Sequence, residues 1–228
     1  MVKENLQRIQ ARMAAAAKKA GRDPEVIRLV AVTKGVPVER IREAVACGVR
    51  EIGENRVQEA LEKKPLVSGE ARWHLIGHLQ RNKAKLAVDL FDLVHSVDSL
   101  ELVEALERQA EGHRGFGGAP LELLIQVNVS GEASKHGCKS EQAEALAQMV
   151  MESKHLKLAG LMTMAPFSDD PEDARPFFRQ LRLLRDRLEA SLLRRPLDLS
   201  MGMSQDFEVA IEEGATLIRI GTGIFGES

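Results

Sequence analysis

Eight short apolar runs, each followed by a stretch of helical periodicity, recur along this chain and leave few folds open to it. The runs fall at 29–34, 49–53, 73–76, within 90–96, and at 121–129, 158–164, 197–202 and 216–221. They are short, apolar and rich in Val, Ile and Leu, as buried strands are. Between them the pattern predicts helices over 38–47, from 54, over 80–88, from 100, over 140–152, from 170 and over 205–213. Residues 115–118 form a glycine-rich connection. Phe177, Leu181, Leu184, Leu188 and Leu192 form the apolar stripe of the helix from 170, with Pro176 a candidate kink near its first turn. Parallel strands need crossover helices, so the alternation predicts an α/β fold with a parallel sheet. Eight units at this length favour a closed (β/α)8 TIM-type barrel as one domain over 1–228. A helix over 2–20 is extra, and it covers the gap left by a vestigial eighth helix after 221.

Charge and composition exclude several function classes. With 32 Lys and Arg against 34 Asp and Glu, the net charge of −2 offers no field for nucleic acid or an anionic membrane. The arginines between 175 and 195 are interleaved with Glu172, Asp173, Asp186 and Glu189, which reads as a salt-bridged solvent face. Cys47 and Cys138 show neither metal-ligand spacing nor a disulfide framework, so reduced thiols are expected. His74 and His78 lie on a strand and its following turn rather than on one helix face, so no metal is expected. The N-terminus lacks the apolar core of a signal peptide and no run is long enough to span a membrane; the expected location is the cytoplasm.

Reactive groups of such barrels gather at the C-terminal ends of the strands, and Lys34 ends the first of them. Two readings stand for it. A strand-end lysine can reach for solvent, or burial can favour the free amine that attacks an aldehyde. Barrels of this kind often bind phosphate on the loops after strands seven and eight. Those loops read Met201-Gly202-Met203-Ser204 and Gly221-Thr222-Gly223, glycines that admit backbone N–H groups to an anion beside hydroxyl donors. Ser204 fits a plain N-cap equally well. Arg219 shares strand parity with Leu217 and Gly221, and an inward guanidinium needs either a structural carboxylate or a ligand acceptor. An aldehyde for Lys34, a phosphate for the loops and a pyridine nitrogen for Arg219 are together the features of pyridoxal phosphate (PLP). A glycine fingerprint at Gly221, Gly223 and Gly226 lacks the helix and acid that dinucleotide binding requires.

Five segments extend this pattern: Ala31-Val32-Thr33-Lys34, Gly53-Glu54-Asn55-Arg56, Trp73-His74-Leu75-Ile76-Gly77-His78-Leu79-Gln80, Leu199-Ser200-Met201-Gly202-Met203-Ser204, and the run from Arg219 to Gly226. In content and order, over nearly the whole chain, they resemble the YggS/PROSC family of pyridoxal phosphate homeostasis proteins. The resemblance implies a barrel like the N-terminal domain of alanine racemase, with Lys34 as the lysine that carries the cofactor as an aldimine. It further implies phosphate contacts at Ser204, Gly221 and Thr222, Arg219 at the pyridine nitrogen, and Asn55 and His74 lining the site. For His74, the residues alone leave a satisfied barrel-mouth histidine equally open. Gly35-Val36-Pro37 departs from the family's bulkier polar residue after the lysine, which touches local lid contacts only.

A racemase of that type needs a second base, which the resemblance says is a tyrosine from a separate β domain. The sequence contains no tyrosine. An arginine at the pyridine nitrogen also keeps that atom unprotonated and weakens the ring as an electron sink. The expected function is therefore to hold PLP and buffer or deliver it within the cell. PLP-dependent apo-enzymes are the expected partners, and a monomer the expected state. A PLP enzyme such as an amino-acid racemase or lyase is the alternative, and a Schiff-base aldolase for a phosphorylated sugar the third reading.

Overall fold

Eight parallel strands close into a barrel in sequence order: β1 (Arg28–Val32), β2 (Glu51–Glu54), β3 (Arg72–Leu75), β4 (Leu93–Val97), β5 (Leu121–Gln126), β6 (Leu156–Met162), β7 (Asp198–Ser200) and β8 (Leu217–Ile220). Closure is made by β1, whose Val30 stands opposite Glu51 on one side and Arg219 on the other. This computed structural model describes residues 1–114, 118–193 and 196–226. Residues 115–117 of the expected glycine connection, Arg194 and Arg195 of the basic run, Glu227 and Ser228 lie outside them.

The helices are α1 (Val2–Lys19), α2 (Val38–Ala46), α3 (Val57–Lys63), α4 (Ala84–Leu90), α5 (Leu100–Arg114), α6 (Ala143–Glu152), α7 (Arg175–Leu188), α8 (Phe207–Glu212) and α9 (Thr222–Phe225). Their apolar faces and the outward faces of the strands form one continuous core. The last helix has only four residues, and α1 covers the space beside it. Asn5 Nδ2 donates to Ile224 O at 2.9 Å, and Arg12 pairs with Glu208 at 2.6 Å.

Several details differ from expectation. Glu54 belongs to β2 and α3 opens only at Val57, because the ladder continues: Thr33 N–H donates to Gly53 O and Ile76 N–H to Glu54 O, each at 2.9 Å. Gly77 then passes so close that a Cβ there would lie 2.2 Å from Asn55 O, which keeps the chain at 55 out of a helix. The fifth strand stops at Gln126 because the following loop folds back, Cys138 N–H donating to Gln126 O at 2.9 Å. In α7 the fully buried aromatic is Phe178, not Phe177. Leu181, Leu184 and Leu188 of the expected stripe face inward with it, and Phe177 and Leu192 are partly buried against the same core. Pro176 sits in the first turn, where its missing N–H has no intrahelical partner to lose.

The basic face of α7 has a structural use. Glu213, buried at the end of α8, receives Arg175 Nη1 at 3.1 Å, Arg179 Nη2 at 3.2 Å and Arg182 Nη2 at 3.1 Å. Burial works against its ionisation, but the three guanidinium groups hold its carboxyl below the ordinary range. Glu213→Leu leaves these cations without their shared partner. It is expected to cost about 2 kcal/mol and lower the melting temperature by roughly 4–8 °C in thermal denaturation.

Candidate functional site

All eight strands run the same way, so the turns after Val32, Glu54, Ile220 and Ser200 open on one mouth of the barrel. The opposite mouth is closed by ion pairs. Arg28 reaches Asp198 at 2.5 Å and Glu51 at 3.5 Å, Arg72 reaches Glu122 at 2.6 Å, and Lys157 reaches Glu122 at 2.7 Å. That division leaves the C-terminal mouth for chemistry.

Lys34 stands there in a tight turn that α3 clamps from the side. Lys63 Nζ donates to Thr33 O at 2.7 Å, Glu54 Oε1 at 2.8 Å and Glu59 Oε2 at 2.9 Å. Glu59 Oε2 also accepts Gly35 N–H at 3.1 Å, and Thr33 Oγ1 donates to Glu54 Oε1 at 2.6 Å. The backbone on both sides of Lys34 is thus held, while its side chain is exposed. Exposure corrects the argument from burial: β1 ends at Val32, so the lysine lies beyond the strand and keeps its water. Glu54 is the buried group here. Burial drives its carboxyl above the ordinary value despite the bonds from Lys63 and Thr33.

The two glycine-bearing loops meet. Thr222 Oγ1 and Ser204 Oγ lie 3.2 Å apart, and Thr222 opens α9, whose first amides precede any intrahelical bond. Ser204 is not an N-cap, because α8 starts later and Asp206 stands at that position. Gly202 has φ +91°, and a Cβ would lie 2.5 Å from Ala210 Cβ, so only glycine lets this turn sit on α8. Gly221 packs on Val32, which places the phosphate-suited loops beside the strand that leads to Lys34.

Arg219 is buried inside the barrel. It is 4% exposed, and it donates to Ser200 Oγ at 2.5 Å and Thr163 O at 2.9 Å; among the described residues no carboxylate bonds to it. Burial pulls its guanidinium down to about 10, with the charge of Asp206 acting in the other direction. A guanidinium has five donors, and among the described residues hydrogen bonds from two of its nitrogens are seen. Asn55 is half-buried at the same mouth. His74 lies below Arg219 in the barrel interior, its Nδ1 3.0 Å from His95 Nε2 and its Nε2 2.5 Å from Glu51 Oε2, the latter a close contact without hydrogen-bond geometry.

A lysine amine, paired hydroxyls and a buried donor without an anion fit an aldehyde, a phosphate and a ring nitrogen. Residues 5–228 match the family described as alanine racemase, N-terminal domain. The chain is 44% identical over 225 residues to a pyridoxal phosphate homeostasis protein of Aquifex aeolicus, covering 98% of this chain and 97% of that one. The chain belongs to the pyridoxal phosphate homeostasis protein family. A solved member of the structural group, PipY of Synechococcus elongatus with PLP bound, superposes with a TM-score of 0.84 at 35% identity, covering 99% of this chain and 100% of that one. D-threonine aldolase of Filomicrobium marinum shares the fold alone, with a TM-score of 0.76 at 16% identity over 98% of this chain and 59% of that one.

Sequence reasoning missed several residues of this family member's site. Lys63, Glu54 and Glu59, which hold the Lys34 turn, are not singled out by the sequence as site residues; Glu54 falls at the opening of the helix expected from 54. Glu51, His95 and Ser200, which lie beneath Arg219, and Thr163 beside it are single polar residues within or at the ends of apolar strands, and that misfit was their only signal. His78, Asp98 and His136 also bring ligand atoms within 4.8 Å of one another at the mouth. The two imidazoles are stacked 4.3 Å apart with planes 13° from parallel, so their in-plane lone pairs do not converge on one ion. Among the described residues no helix is long and apolar enough to cross a membrane.

Proposed function

We propose that this protein holds PLP as a Schiff base on Lys34 Nζ and serves intracellular PLP homeostasis by buffering or delivering it, the whole chain acting as one cofactor-binding domain. The observation that carries the reading is the barrel mouth itself: an exposed lysine, a Ser204–Thr222 hydroxyl pair 3.2 Å apart, and a buried Arg219 with no carboxylate bonded to it among the described residues. Ser204, Thr222 and the amides at Gly221 take the phosphate, Arg219 takes the ring nitrogen, and Asn55 borders the ring. His74 acts from below rather than by contact. When bound, PLP supplies an aldehyde and an electron-withdrawing ring. The protein's residues then keep it in place.

The reading extends to a role without efficient catalysis. A donating guanidinium keeps the ring nitrogen unprotonated, and the sequence offers no tyrosine as a second base. Cytoplasmic location, a monomeric state and PLP-dependent apo-enzymes as recipients complete the proposal.

Borohydride reduction of the PLP-loaded protein, followed by peptide mapping, tests it. The expected result is one modified lysine, Lys34. Turnover of D- or L-amino acids that disappears in Lys34→Ala would favour the enzyme reading instead, and a protein without a visible Schiff-base band would favour the aldolase. Ser204→Ala with Thr222→Ala tests the phosphate cup: affinity for PLP is expected to fall about tenfold or more, while affinity for unphosphorylated pyridoxal stays unchanged.

A further inference from the structure

TIM barrels ordinarily fill their interior with branched apolar side chains. Here an apolar cluster of Val30, Leu93, Leu124, Met162 and Leu217 shares that interior with a line of polar groups. We propose that His95 and His74 are positioning residues for Arg219, joined through Ser200 into a directed hydrogen-bond chain whose last member, His74, stands against the Glu51 carboxylate. The inference rests on the reading of Arg219 as the donor to the cofactor ring.

Both ends of the chain fix its direction. A guanidinium only donates, so Arg219 gives a proton to Ser200 Oγ at 2.5 Å. The Ser200 hydroxyl is then free to donate to His95 Nδ1 at 2.9 Å. A neutral His95 that accepts at Nδ1 carries its proton on Nε2, and that proton faces His74 Nδ1 at 3.0 Å. His74 in turn carries its proton on Nε2, opposite Glu51 Oε2 at 2.5 Å. At the far end a carboxylate only accepts, so an unprotonated Nε2 there would set two lone pairs against each other. Reversing the direction therefore requires an imidazolium at His74.

The surroundings favour this arrangement. His74, His95 and Ser200 are 0% exposed, so water does not compete for the links. Burial first, with the charges of Arg219, Arg28 and Arg72 acting the same way, keeps His95 neutral, as the chain requires. Burial opposes ionisation of Glu51, but the close contact with His74 and the charges of Arg72 at 3.9 Å and Arg28 at 3.5 Å hold its carboxyl below the ordinary value. Asp206 acts on Arg219 by charge alone. The buried cation near the C-terminal mouth is thus coupled to an anion near the other mouth, and its planar fork is held from below by Ser200 and from the side by Thr163 O.

Long-range proton–nitrogen NMR on full-length protein with labelled histidine reads the chain directly. The expected signature is neutral His74 and His95, both with the proton on Nε2. A proton on His95 Nδ1, or an imidazolium at His74, would overturn the proposal. The second arm measures PLP affinity. Ser200→Ala, the milder change, and His95→Leu are each expected to weaken PLP about tenfold while Lys34 still forms its visible band. In an Arg219→Ala background, His95→Leu is expected to add nothing, which a purely structural role would not produce. Unchanged affinity in both single variants, or additive losses, would overturn it. A wild-type protein that takes up no PLP would refute the cofactor reading, and the NMR signature would still decide the chain.

Discussion

Lys34→Ala is expected to abolish covalent retention of PLP, with loss of the visible Schiff-base band and of borohydride labelling. The remaining contacts survive, because Ser204, Thr222 and Arg219 stand on other loops and strands. Free PLP should therefore still bind, but by one set of contacts instead of two. Losing the second, intramolecular link is expected to raise the dissociation constant by about 10²–10⁴-fold. Lys34 is exposed and makes none of the bonds that hold its turn, so stability should stay within about 0.5 kcal/mol of wild type. That separation matters for interpretation: a lost band in a well-folded variant cannot be blamed on the fold. Retention of the band, or label on Lys63 instead, would sink the assignment.

The barrel was legible because its signal is redundant. Each strand is an apolar run, each crossover an amphipathic helix, and the fold's own rule collects Lys34, Ser204, Thr222 and Arg219 at one mouth. What lay beyond reach was anything set by contacts between distant positions. His95 gave no partner pattern in sequence, since its partners His74 and Ser200 are 21 and 105 positions away. Lys63 lies within helical reach of Glu59, so the pair reads as surface charge. Its buried partner is Glu54, nine positions back on β2. The burial argument for Lys34 failed for a local reason. The strand ends at Val32, and the extra step to position 34 takes the side chain into solvent.

Lys63→Met is expected to have the largest effect on stability, about 3 kcal/mol at neutral pH, or roughly 6–12 °C in melting temperature. The side chain of Lys63 is 13% exposed and that of Glu54 is 0% exposed, so methionine keeps the apolar stem but strands a buried carboxylate. The loss should depend on pH in a definite direction. Burial already raises the folded-state value of Glu54 above its unfolded one. Through that window the folded protein binds more protons, so stability falls as pH rises across it. Removing the Lys63 charge extends the window upward. The deficit should be full at neutral pH and shrink as pH falls toward the ordinary carboxylate range, where Glu54 is neutral in both states. Lys63 contributes in the opposite sense: its own folded value is raised by Glu54 and Glu59 against the effect of burial, so its stabilisation is present below its unfolded value and lost only in strong alkali. Melting curves between pH 5 and 8 would decide the matter, and a loss independent of pH would defeat the explanation. Adding Glu54→Gln should recover most of the stability, because a neutral amide needs no cation. It should not restore PLP affinity, since Thr33 O still lacks the Lys63 bond that holds the Lys34 turn.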